Sequence, residues 1–242
     1  MCRRRTGPAS LNWWCMSISE RWCAGVSCCD PVWEEAYRRF ESPEREIRKF
    51  RRRLITVGAQ HWPRDANILE VCCGRGNGLK ALATLGFMRL SGVDLSETLL
   101  EGYDGPARLY VGDCRDLRLA DGSINIVIVQ GGLHHLPDIP ADLDMTLREI
   151  QRVLRPDGLF VAVEPWNTTF LRMVHTCCGS SALRRWDKLD ALATMIERER
   201  PSYEGWLSQG QAIRCLLHAR FRPAQESTAW GKLTFVGHPL PT

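Results

Sequence analysis

The 242-residue chain reads as an α/β domain, a doubly wound and mostly parallel sheet, and three features predict it. Short apolar runs alternate with helical stretches from Ile68 to Glu164. Three of the runs end on an acidic residue, at Asp94, Asp113 and Glu164. A glycine-rich turn carrying Gly74, Gly76 and Gly78 joins the first run to the first helix. Strands separated by helices must be joined by crossovers, which makes them parallel, and ligands of such sheets bind at the carboxyl edge.

The elements follow in order. Residues 1–29 are rich in Trp and Cys, carry no clear period and are expected to be a poorly ordered extension. Asp30-Pro31 and Ser42-Pro43-Glu44 each place a capping side chain before a proline at the first helical position. They predict two helices within 30–57, lying either over the mouth of a site or on the sheet edge. The main domain occupies 58–242.

Ile68, Leu69 and Val71 supply the first strand, and Asn77 to Leu85 a helix stopped by Gly86. Arg89 to Val93 and Ala107 to Val111 are the second and third strands, with a short helix capped by Ser96 between them. Ile124 to Val129 is the fourth. Leu143, Leu147, Ile150 and Leu154 then fall on one face of a helix opened by Pro140, stopped by Pro156-Asp157-Gly158. Leu159 to Val163 is the fifth strand. Residues 166–207 break the rhythm as a helical insert. Ser208 caps a last helix, and Gln225 to Trp230 with Lys232 to Val236 form a closing hairpin around Gly231, for seven strands in all.

Composition narrows the function classes. The chain is 44% hydrophobic with a net charge of +4, too mild to argue for nucleic acid. The basic run Arg45 to Arg53 reads as a solvated helix face. No apolar run approaches a membrane span, and no clean signal peptide follows Arg3 to Arg5, so a cytoplasmic location is expected. The 11 cysteines include adjacent pairs and no Cys-x-x-Cys, which argues for free thiols and no metal site.

The turn is not a dinucleotide fingerprint, since Leu79 stands where a third small residue belongs. Glu70-Val71-Cys72-Cys73-Gly74-Arg75-Gly76 instead resembles motif I of the class I S-adenosylmethionine-dependent methyltransferases, acidic-x-Gly-x-Gly-x-Gly. Cys72 replaces the first glycine, and a small residue at negative φ fits there. Gln130-Gly131-Gly132-Leu133-His134-His135-Leu136-Pro137-Asp138, Leu147 to Gly158 and Glu164-Pro165 are similar to the small-molecule type of that family in the same order. The resemblance covers roughly residues 60–165.

The resemblance implies a Rossmann-like sheet of order 3-2-1-4-5-7-6, with strand seven antiparallel, and S-adenosylmethionine as cofactor. By that resemblance Glu70, Cys72, Gly74 and Gly76 hold its methionine end and Gln130 closes over it. Asp94 with Leu95 holds the ribose, and Asp113 with Cys114 the adenine. Independently, a carboxylate ending the second strand can accept both hydroxyls of a ribose. A base is required only if the acceptor must lose a proton, and His134, His135, Glu164 and His175 are the candidates.

No Asn/Asp-Pro-Pro-aromatic segment or Pro-Cys pair follows the fourth strand, which argues against a nucleobase acceptor, and the insert with its three Trp and one Tyr reads either as a plain packing subdomain or as a lid over a small apolar or aromatic acceptor. Three other readings stay open: a non-catalytic binding module, a nicotinamide-dependent oxidoreductase and an RNA methyltransferase. No Tyr-x-x-x-Lys supports the oxidoreductase, and no Gly-Lys-Ser/Thr permits a phosphate-loop NTPase.

Overall fold

The computed structural model describes residues 18–22 and 30–241. Eight strands form one sheet: β1 (Glu20–Arg21), β2 (Asn67–Val71), β3 (Arg89–Asp94), β4 (Arg108–Val111), β5 (Ile124–Gln130), β6 (Leu154–Pro165), β7 (Phe221–Ala229) and β8 (Lys232–Pro239). Their order is β1-β4-β3-β2-β5-β6-β8-β7. The first six are parallel, and β8 runs antiparallel to both β6 and β7.

The expected count of seven is corrected by β1. It lies within the stretch expected to be poorly ordered, most of which is outside the described residues. Trp22 anchors β1: its amide donates to the Val111 carbonyl, and its ring stacks on Tyr110 at 4.7 Å. Two residues carry no readable period, so only the packing of Trp22 reveals the strand.

Nine helices among the described residues complete the fold: α1 (Pro31–Phe40), α2 (Pro43–Thr56), α3 (Asn77–Thr84), α4 (Glu97–Leu100), α5 (Ala141–Val153), α6 (Thr169–Cys178), α7 (Asp187–Arg198), α8 (Arg200–Ser208) and α9 (Gly210–Arg220). Adjacent strand residues point to opposite faces. Leu69, Val71, Val127, Val129 and Phe160 pack with Leu143, Leu147, Ile150, Ile213 and Leu217 of α5 and α9. Ile68, Ile126, Ile128 and Val161 pack with Phe50, Leu54, Leu79 and Leu82 of α2 and α3. Both faces are covered, which is why the strands read as unbroken apolar runs.

Three boundaries move. Leu154 belongs to β6 and not to the preceding helix, because Pro156 forces Arg155 into an extended conformation and the chain is already extended at Leu154. Ser208 ends α8, its hydroxyl donating back to the Gly205 carbonyl, and Gln209 separates it from α9. The hairpin begins at Phe221, whose buried ring joins Phe160 and Phe235.

α1 packs against α7 of the insert. α1 meets the carboxyl edge of the sheet through Glu34, beside Ser96. No described helix is long and apolar enough to cross a membrane. Arg45, Arg48, Arg51 and Arg52 of α2 are exposed.

Candidate functional site

The strand β2 delivers Glu70 to the carboxyl edge with a buried carboxylate. Its Oε1 accepts from Nε2 of Gln130 at 3.2 Å, while its Oε2 and the Oε1 of Gln130 have no donor among the described residues. Burial pushes the Glu70 carboxyl up to about 8, against the pull of the Gln130 hydrogen bond. Gly78 makes this possible. A Cβ there would lie 2.5 Å from the carboxyl carbon of Glu70.

The turn after β2 uses the left-handed region at Cys72 (φ 55), Gly74 (φ 51) and Gly76 (φ 69). The expectation of a negative φ at Cys72 is therefore corrected. The backbone here needs the conformation a glycine adopts freely, and an L-residue pays roughly 1–2 kcal/mol for it. Gly132 makes room for the extra side chain, since a Cβ on Gly132 would stand 2.8 Å from Cys72 Sγ. The neighbouring Cys114 thiol and burial both push the Cys72 thiol up.

Asp94 ends β3. Its Oδ2 accepts from the Gly74 amide at 2.7 Å and its Oδ1 from the Ser96 amide at 2.8 Å. Burial raises its carboxyl despite these amides. Leu95 is half-buried in the bend that follows. Asp113 is gripped by Arg115, whose Nη2 donates to Oδ2 at 2.6 Å and whose amide donates to Oδ1 at 2.8 Å. Burial alone would raise the Asp113 carboxyl, but Arg115 outweighs it and holds it low. Cys114 is buried, 3.6 Å from the Thr146 hydroxyl.

Two layers of contact that the sequence did not foretell close over this edge. From α1, Glu34 accepts from the Ser96 hydroxyl at 2.6 Å, and the Tyr37 ring would lie 3.6 Å from a Cβ on Gly74. From α2, buried Glu46 accepts from Arg75 at 2.7 Å and Asn77 at 2.8 Å. Asp30-Pro31 locates α1 in the sequence, but nothing there says which face meets the turn.

His134 and His135 sit on a 3₁₀ turn after β5. Nδ1 of His134 lies 2.8 Å from Oε2 of buried Glu164, whose Oε1 accepts from the Gly132 and Leu133 amides. Burial would raise the Glu164 carboxyl, yet His134 and the amides hold it below the usual carboxylate range. Glu199, from the insert, lies 3.1 Å from Nδ1 of His135 and accepts from Trp33 Nε1 at 2.7 Å. The structure thus brings His134, His135 and Glu164 together. His175 stands apart, bonded to the Tyr203 hydroxyl at 3.1 Å, beside a cavity of about 240 Å³ lined by Asn167, Ile196, Tyr203 and Leu207. The Tyr203 ring also meets His134 edge-on at 5.7 Å.

Known proteins share this framework. Residues 69–162 match the family described as methyltransferase domain. A demethylmenaquinone methyltransferase of Staphylococcus aureus is 35% identical over 106 residues, 40% of this chain and 42% of that protein. The chain thus spans under half the length of the curated relatives it matches. The PH0226 protein of Pyrococcus horikoshii has the same fold, with a TM-score of 0.65 at 17% identity over 88% of this chain and all of its own. A Methanococcus maripaludis protein described as an S-adenosylmethionine-dependent methyltransferase gives 0.60 at 13% identity, over 90% and 99%. Residues 69–162 of the chain thus carry a methyltransferase domain, and its fold is the α/β fold of these structures.

Proposed function

We propose that the chain is an S-adenosylmethionine-dependent methyltransferase acting on a small apolar or aromatic acceptor. The observation that carries this is the pair of buried acceptors without a donor, Glu70 Oε2 and Gln130 Oε1, beside a turn held by Asp94. An ammonium group, as on the methionine end of the cofactor, satisfies such atoms. A pyrophosphate does not, because its oxygens only accept hydrogen bonds. The residues present fit the group.

When bound, S-adenosylmethionine supplies a methyl already activated as a sulfonium. The chain's task is then alignment and exclusion of water. Glu70 and Gln130 hold the methionine end, with Cys72, Gly74 and Gly76 as the turn beneath it. Asp94 and Leu95 hold the ribose. Asp113, fixed by Arg115, and Cys114 flank the adenine. α1 and the insert exclude water from this edge. His134, with Glu164 on its Nδ1, presents Nε2 as a base where an acceptor proton must leave, and His135 is the neighbouring candidate. The name of the Staphylococcus relative gives demethylmenaquinone as its acceptor, a compound of the apolar or aromatic class. A cytoplasmic location is part of the proposal.

Calorimetric titration with S-adenosylhomocysteine tests the reading, with NADH as control. The expected result is micromolar binding of S-adenosylhomocysteine alone. Asp94→Ala should weaken it by about 10–100-fold, the worth of a charged hydrogen-bond acceptor. NADH binding instead would replace the reading with an oxidoreductase, and binding of neither by a folded chain would leave a non-catalytic module. Salt-sensitive retention on polyanion would favour an RNA acceptor.

The raised Glu70 carboxyl adds a pH signature. Below about pH 8 the group is largely protonated in the free protein. An ammonium beside it favours the carboxylate, so binding must expel the proton. Affinity for S-adenosylhomocysteine should therefore rise by up to about tenfold per pH unit toward pH 8 and then level off. Glu70→Gln should remove that slope. Stability responds in the opposite sense. A carboxyl raised above its unfolded value of 4.5 stabilises the fold less as pH climbs from there toward 8.

A further inference from the structure

We propose that His134, His135 and Glu199 form a binding site for a single divalent first-row transition-metal ion. One donor atom from each side chain lies within 4.8 Å of the others. His134 Nε2 is 3.8 Å and His135 Nδ1 is 3.1 Å from an oxygen of Glu199. Both spans are shorter than two metal–ligand bonds of about 2.0–2.1 Å end to end.

The surroundings orient the donors. Glu164 takes the Nδ1 side of His134 at 2.8 Å, which holds the ring with Nε2 3.8 Å from Glu199. A carboxylate behind the imidazole is the usual support of a histidine ligand. Glu199 is held in turn by Trp33 Nε1 at 2.7 Å. The 3.8 Å gap between His134 Nε2 and Glu199 Oε1 is too long for a hydrogen bond.

Two imidazoles and one carboxylate suit zinc, iron, cobalt or nickel better than calcium or magnesium, which prefer all-oxygen shells. Three protein ligands leave a coordination position open. No sequence signature announces the set, because Glu199 arrives from the insert, far from the His-His pair in the chain.

The site shares His134 and His135 with the base proposed above, and a His134 Nε2 that holds the ion is not that base; its test reads metal binding and not activity, so it separates from that of the methyl-transfer reading. The full chain, stripped with chelator, is titrated with Co(II) and followed by visible absorption, then with Zn(II) by calorimetry. One equivalent should bind, with ligand-field bands and no near-ultraviolet thiolate-to-cobalt band. His135→Ala and Glu199→Gln should each weaken binding by about 100-fold or more. His135 is the safer variant, as its side chain is 35% exposed. No binding by a chain that is folded by circular dichroism would overturn the proposal. So would binding unchanged in both variants, or a thiolate band placing the ion on cysteine. Metal binding without S-adenosylhomocysteine binding would keep this site and remove the methyltransferase reading; the reverse would do the opposite.

Discussion

Gly78→Ala is expected to destabilise the protein by about 2–4 kcal/mol and to abolish binding of S-adenosylhomocysteine. In most helices the exchange gains stability, by roughly 0.5–1 kcal/mol. Here the new Cβ falls onto the Glu70 carboxylate, 2.5 Å from its carboxyl carbon. Either α3 lifts from the sheet or Glu70 leaves its place, and both dismantle the cradle with Gln130. Urea unfolding and calorimetric titration would measure the two effects. The double variant Glu70→Ala with Gly78→Ala should regain most of the stability and none of the binding. A single variant as stable as the parent, with unchanged affinity, would refute the close approach.

Glu164→Ala should cost about 3–5 kcal/mol, because one buried carboxylate serves three groups. The Gly132 and Leu133 amides and His134 Nδ1 all lose their acceptor at once. Glu164→Gln should cost less, about 1.5–3 kcal/mol. Its single oxygen can keep the two amides, but its NH₂ then faces Nδ1 and forces the other tautomer of His134. The folded carboxyl is held below its unfolded value of 4.5. Its stabilisation is therefore present above that value and fades as pH falls through the lower, folded one. The difference between parent and Glu164→Gln in urea midpoints should be largest near neutral pH and shrink in acid. A constant difference would show that the carboxylate's charge contributes nothing.

The alternation of apolar runs and helices was legible because each strand is buried on both faces. Val127 and Ile128 serve opposite cores, so both must be apolar and the run stands out. The line of acidic residues along the carboxyl edge was legible for a related reason. A sharp turn after a buried strand favours glycine, and Glu70, Asp94 and Asp113 stand at or just past the carboxyl ends of β2, β3 and β4. The strand ends were less legible where proline and neighbouring packing compete, as at Leu154 and Phe221.

What the sequence determined by itself is the parallel framework and the line of residues along its carboxyl edge, since both follow from local periodicity and from chemistry at fixed spacing. What only the tertiary structure decided is everything that meets that edge from elsewhere in the chain. The backbone of Cys72 is left-handed, and its side chain fits because Gly132 stands opposite it. Trp22 adds a strand because Tyr110 offers a ring to stack on. Glu34, Glu46 and Glu199 reach the site from α1, α2 and the insert. Such contacts join residues far apart in sequence through shape and charge complementarity, and no period or motif within one segment encodes a partner supplied by another.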